Sequence, residues 1–140
     1  MSKKILNKIA NVFKNKKENT ESYVEIKTLP TLENYPDYLK FLNEDEQYIK
    51  LVIFTKEDCN DCIKGLEIVS QLLDKYSDKL KVLEIKLFKD SSKNILCSRL
   101  LDQYDINFVP NYVLLYKDNF EKISNKNFQY IDSRLSSYLK

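Results

Sequence analysis

Apolar positions recur along this chain with two periods, two and 3.6, and the switches between them mark out its elements. Tyr23 to Thr28 alternates and predicts a first strand, which Pro30 ends. Leu32 to Leu42 predicts a short helix, with Leu39 and Leu42 facing inward and Pro36 in its first turn. Tyr48 to Phe54 closes on the run Leu51-Val52-Ile53-Phe54, the pattern of a buried central strand. A short polar turn, Thr55 to Asp58, follows. From Asn60 to Tyr76 the apolar residues Ile63, Leu66, Ile68, Val69, Leu72 and Leu73 recur at helical spacing. Lys81 to Phe88 predicts a strand, and Ser92 to Tyr104 a helix with Ser91 or Ser92 as its N-cap. Asn111 to Tyr116 and Phe120 to Ile123 predict a hairpin around Lys117-Asp118-Asn119. Asn127 to Leu139 predicts a closing amphipathic helix. The order β-α-β-α-β-α-β-β-α implies an α/β fold: a central mixed sheet with helices on both faces.

Composition narrows the picture. A chain of 140 residues, 43% hydrophobic and 31% charged, suits one domain with a real core. The net charge of +2 is unevenly placed, because residues 1–17 hold six lysines and no acid and leave the remainder at −4. Within that start, Ile5, Leu6, Ile9, Val12 and Phe13 fall on one helical face. Residues 1–22 therefore read as a basic amphipathic extension and linker, either a short helix docked on its own domain or a frayed tail, or else a contact for an anionic membrane face or a partner groove, and residues 23–140 as the folded domain. Lys8, Asn7 and Asn11 interrupt the apolar start and no small-residue cleavage site follows, so no secretory signal is legible. The expected compartment is cytoplasmic, with the inner membrane face as a peripheral site. No apolar run approaches the roughly 20 residues that span a bilayer.

Several chemistries drop out. There is no histidine, which removes Cys–His and Ser–His–Asp catalysis and any histidine-containing metal site. A single glycine, Gly65, rules out a glycine-rich phosphate loop. Lysine outnumbers arginine 21 to 2 and no aromatic-interleaved basic stripe lies outside the extension, so no nucleic-acid partner is expected.

The chemistry that remains is sulfur. Cys59 and Cys62 stand where the strand ending at Phe54 gives way to the helix from Asn60. A helix N-terminus offers unpaired N–H groups and the positive end of the dipole, and both favour a thiolate. Two intervening residues let the pair close a small disulfide ring, so one sulfur can attack a disulfide and the other can resolve the mixed disulfide.

On these residues the chain resembles the thioredoxin superfamily. The strand, Cys-x-x-Cys and helix of residues 51–73 carry the likeness, together with Tyr104-Asp-Ile-Asn-Phe-Val-Pro110 about 50 residues later, then a hairpin and a final helix. The resemblance covers roughly residues 23–139. It implies the thioredoxin-like fold, with four to five strands. It also implies Cys59 as nucleophile, Cys62 as resolving thiol, and a cis Val109–Pro110 bond whose Val109 backbone receives an extended substrate. The partners implied are a protein disulfide and a thiol or reductase electron donor. No cofactor is implied. A looser likeness is to thioredoxin-like accessory proteins of bacteriocin export and immunity systems.

The sequence also departs from that family. The motif is Asp58-Cys59-Asn60-Asp61-Cys62, and Ile53 stands where the family has a buried acid. Glu57, Asp58 and Asp61 are expected to raise the Cys59 pKa by like-charge repulsion, with Lys56 and Lys64 opposing them. A higher thiol pKa favours a reducing couple, so a reductase is expected rather than an oxidant. The alternative is a binding or chaperone module with a vestigial redox pair. Cys97, among Ile95, Leu96, Leu100 and Leu101, reads as a core residue. A zinc site of Cys59, Cys62 and Cys97 falls one ligand short, so no metal is expected.

Overall fold

The computed structural model describes residues 24–124 and 126–139. The basic extension, its linker and Tyr23 lie outside the described residues. Four helices and four strands follow in the order α1 (Tyr35–Asn43), β1 (Ile49–Lys56), α2 (Asn60–Lys75), β2 (Leu80–Leu87), α3 (Ile95–Gln103), β3 (Asn111–Tyr116), β4 (Asn119–Ser124) and α4 (Phe128–Tyr138). They form one mixed sheet in the order β2-β1-β3-β4. β1 runs parallel to β2, and β3 is antiparallel to both β1 and β4.

The sheet divides the core. Leu51 and Ile53 on β1, Leu80 and Val82 on β2, and Tyr112 and Leu114 on β3 face one side, which α2 and α4 cover through Val69, Leu72, Ile131 and Leu135. Val52, Phe54, Leu83, Ile85 and Val113 face the other, covered by Tyr38 of α1 and by Leu96, Cys97 and Leu100 of α3. β1 is buried from Ile49 to Thr55, as a central strand covered on both faces must be.

Three expectations need correction. Residues 24–28 form no strand. They are drawn instead towards α2, where the Lys27 N–H donates to Ser70 Oγ (2.9 Å) and the Lys27 ammonium pairs with Asp74 (2.9 Å). A backbone bond then ties the segment to the β2 edge, where the Glu84 N–H donates to Pro30 O (3.1 Å). In α1, Tyr38 rather than Leu39 faces inward; Leu39 is 40% exposed. The helix starts at Tyr35, because the Asn34 side chain caps it by accepting from the Asp37 N–H. The helix expected from Ser92 is divided. Ser91–Lys93 is a 3-10 turn capped by Asp90, and α3 begins at Ile95. Asn94 causes the break, since its side chain accepts from the Phe88 N–H (2.8 Å) and donates to Phe88 O (2.7 Å).

Candidate functional site

β1 delivers the chain to the site. One further ladder bond, from the Glu57 N–H to Leu87 O (3.2 Å), carries the parallel pairing past its end. Asp58 then turns the chain with φ of 55°, in the left-handed region that aspartate tolerates better than most residues. Cys59 follows in extended conformation and is itself the N-cap of α2: its Sγ accepts from the Cys62 N–H at 3.1 Å. The first helical bond runs from the Ile63 N–H to Cys59 O (3.3 Å). A sulfur in the capping position receives the donor and the dipole end that stabilise negative charge.

Cys59 and Cys62 are joined as a disulfide, with Cα atoms 5.2 Å apart. Their surroundings differ. Cys59 is partly exposed, whereas Cys62 is 2% exposed. The first cysteine is thus partly open to solvent and the second is enclosed.

The loop before β3 supplies the opposite wall. The Val109–Pro110 peptide bond is cis. Pro110 Cβ lies 3.5 Å from where a Cβ on Gly65 would stand, which places the proline against the first turns of α2. Asn111, buried, braces this loop: its amide donates to Phe108 O (3.4 Å) and its Oδ1 accepts from the Tyr112 N–H (3.0 Å). Val109 is half-buried, and an apolar surface flanks the two walls, with Ile63 48% and Phe108 55% exposed. The structure joins Cys59 to Cys62 and sets Pro110, with Val109 before it, against the helix that the two cysteines begin.

The charges are arranged differently from expectation. Asp58 pairs with Lys89, and Glu57 Oε1 accepts from the Lys89 N–H (2.7 Å). Lys89, just past the end of the neighbouring strand β2, adds a cation to the Lys56 and Lys64 expected to oppose these acids. The ion pair is solvent-exposed and correspondingly weak. No local signal marks Lys89, because it meets Asp58 only through the pairing of β1 with β2.

Cys97 sits on the other face of the sheet from α2, 3% exposed. Burial pushes its thiol up to about 11. It cannot join the Cys59–Cys62 pair without crossing the sheet. Among the described residues no group of three or more cysteine, aspartate or glutamate side chains is placed to hold a metal ion. No described helix is long and apolar enough to cross a membrane.

Two residues beneath the site were not foreseen. Tyr112 of β3 is the register partner of Ile53, on the face that α2 covers. Its oxygen lies 2.7 Å from the Cβ position of Gly65. A lone glycine inside a helical pattern was the available signal, since it marks a close approach to the helix backbone.

No protein-family model matches the chain, and no curated protein sequence is significantly similar to it. Solved structures are similar. The germline thioredoxin Deadhead of Drosophila melanogaster is 19% identical with a TM-score of 0.62, over 78% of this chain and 98% of that one. Oxidised thioredoxin O2 of Arabidopsis thaliana is 16% identical with a TM-score of 0.64, over 80% and 95%. A thioredoxin of Trypanosoma brucei brucei is 9% identical with a TM-score of 0.65, over 86% and 98%. At such identities the likeness is one of fold.

Proposed function

We propose that this chain, which has the thioredoxin fold, is a thiol–disulfide oxidoreductase working as a reductase of protein disulfides. The observation that carries the reading is the asymmetry of the pair: a partly exposed Cys59 at the N-cap of a 16-residue helix, joined to a buried Cys62. In the reduced protein the Cys59 thiolate attacks one sulfur of a substrate disulfide. A Cys59–substrate bond forms, and the substrate's other sulfur leaves as a thiolate and takes a proton. The Cys62 sulfur then attacks Cys59 Sγ, closing the internal disulfide and releasing the second substrate thiol. Two electrons have passed to the substrate, and an external thiol or reductase returns them.

The backbone at Val109 and Pro110 receives an extended substrate segment, and the exposed Ile63 and Phe108 offer it apolar contact. The acids Glu57, Asp58 and Asp61 favour the disulfide form and hence the reducing direction. We place the protein in the cytoplasm, with residues 1–17 as a contact for the inner membrane face or a partner and residues 23–140 as the domain. Equal vesicle binding by the full chain and by one lacking residues 1–20 would remove the membrane contact.

A binding or chaperone module with a vestigial pair is the second reading, favoured by buried Ile53, which offers no group for proton transfer. One experiment separates the two. Cys97→Ser protein is equilibrated against glutathione and then dithiothreitol, and free thiols are counted by mass tagging. A two-electron transition near about −270 mV or below supports the reductase. Failure to form an internal disulfide leaves the binding module.

A further inference from the structure

The hydroxyl of Tyr112 is the one buried side-chain oxygen or nitrogen without a hydrogen-bond partner among the described residues. The side chain is fully buried. Leaving a hydroxyl unpaired in such a place costs about 1–3 kcal/mol, a cost phenylalanine would avoid. Such an oxygen calls for a partner, either a buried water or a group that reaches it in another state of the protein.

Its position indicates which partner. Tyr112 follows Pro110 by two residues and projects from β3 towards α2. Its oxygen stands 2.7 Å from the Cβ position of Gly65, with Ile53 Cδ1 at 3.2 Å and Pro110 Cβ at 3.5 Å from that same point. Gly65 is the only glycine in the chain, and any side chain there would collide with the oxygen. Helical side chains lean towards the N-terminus, so the space a residue-65 side chain would fill lies over the preceding turn. That turn holds Cys62, three residues earlier, and Cβ positions so related lie about 5–6 Å apart. The hydroxyl therefore lies beside the stretch of α2 that follows Cys62 by one turn, with no hydrogen bond to that sulfur while the disulfide is closed.

Cys62 needs such a group. It is 2% exposed, so bulk solvent does not reach its sulfur when the disulfide opens. While the disulfide is closed, that sulfur is tied to Cys59 and carries no charge. Once released, it is free to change rotamer and is a far better acceptor.

We propose that the Tyr112 hydroxyl is an internal hydrogen-bond donor to the Cys62 sulfur in the reduced and mixed-disulfide states, directly or through one water. This rests on the oxidoreductase reading of the pair. During resolution the Cys62 thiol gives up its proton, which ends on the departing substrate thiol. The Cys59–substrate bond breaks as the Cys59–Cys62 bond forms, and Tyr112 keeps its own proton throughout. Burial raises the phenol to about 12, consistent with a donor rather than a base. Tyr112 is thus a positioning and tuning residue. The other charged groups near this turn, Glu57, Asp58, Asp61 and Lys64 on the same connection and Glu84 on β2, are untouched by its substitution.

The test compares Tyr112→Phe with the unaltered tyrosine, both in the Cys97→Ser background. The expected result is a shift of the equilibrium with glutathione by about three- to tenfold towards the disulfide. This corresponds to about 15–30 mV more negative, at 29.6 mV per tenfold for two electrons. The oxidised variant should be at least as stable to urea as its parent. In Cys59→Ser, Cys97→Ser protein, the Cys62 Cβ resonance should titrate at higher pH once Tyr112→Phe is added. An unchanged Cys62 titration in a folded variant overturns the proposal. So does a loss of stability in the oxidised variant, because the hydroxyl would then have a partner already. The Cys62 titration needs no disulfide exchange. If the pair forms no disulfide, the oxidoreductase reading fails while the hydrogen bond is still judged separately.

Discussion

Two tyrosine hydroxyls meet on the α1–α3 face of the sheet, those of Tyr38 and Tyr104, 2.5 Å apart. Each satisfies the other where water cannot, and burial pushes the Tyr38 phenol far up from its usual value. Removing either oxygen strands its partner. Tyr38→Phe or Tyr104→Phe alone should cost about 1–3 kcal/mol by urea unfolding. The double variant should cost less than the sum, because nothing is then left unpaired. Cys97 is a second residue whose behaviour follows from its surroundings. With its thiol at about 11 it holds far less thiolate at neutral pH than an ordinary cysteine near 8.5. In the fully reduced protein it should alkylate about a hundredfold or more slowly than Cys59, as followed by mass spectrometry of the labelled peptides. Its role as a core residue was legible in its helical neighbours. The Tyr38–Tyr104 pair was not, because nothing local connects residues so far apart in the chain.

At the scale of the element, α2 is the part that both folds and acts. Its N-cap is the candidate nucleophile, its buried face carries Val69, Ser70 and Leu72, and its far end is tied to α4. There the Tyr76 hydroxyl donates to Asp132 (2.5 Å), Lys75 pairs with the same carboxylate (2.9 Å), and Ser136 Oγ lies 2.8 Å from the Tyr76 hydroxyl. Gly65 sits in mid-helix, where alanine would ordinarily be favoured by nearly 1 kcal/mol. Here the order reverses, since a Cβ would stand 2.7 Å from a buried oxygen. Gly65→Ala should destabilise by about 1–3 kcal/mol in denaturant unfolding. In a Tyr112→Phe background the same change should cost clearly less, because the colliding atom is gone. Equal costs in both backgrounds would place the strain elsewhere. The boundaries of α2, of β3 and of the closing helix followed from apolar periodicity within a residue or two. The ends of α1 and α3 did not, because the Asn34 cap and the Asn94 clamp outweigh the apolar pattern there.

At the scale of the molecule, three carboxylates among the described residues lie below their ordinary value: Asp45 through its hydrogen bond with Lys81, Asp90 with Ser92, and Asp132 with Lys75. Between each lowered folded value and the unfolded value near 3.8, the unfolded chain binds more protons. Their stabilisation is therefore complete above that unfolded value and is lost as pH falls through the folded one. Urea midpoints should drop below about pH 4. Asp132→Asn should flatten that drop, at a cost of about 0.5 kcal/mol at neutral pH, since the group is partly screened by solvent.

The sequence by itself determined whatever depends on neighbours along the chain. Periodicity set the type and order of nearly every element, and the strand–Cys-x-x-Cys–helix junction set the chemistry, because a helix terminus creates its own field. Only tertiary structure decided what depends on pairing across the sheet. It drew residues 24–28 onto α2 instead of into a strand. It brought Lys89 to Asp58, set Pro110 against α2, and placed the Tyr112 hydroxyl against Gly65. Strand register and sheet order create those contacts between residues tens of positions apart, and no local pattern of apolar and polar residues encodes them.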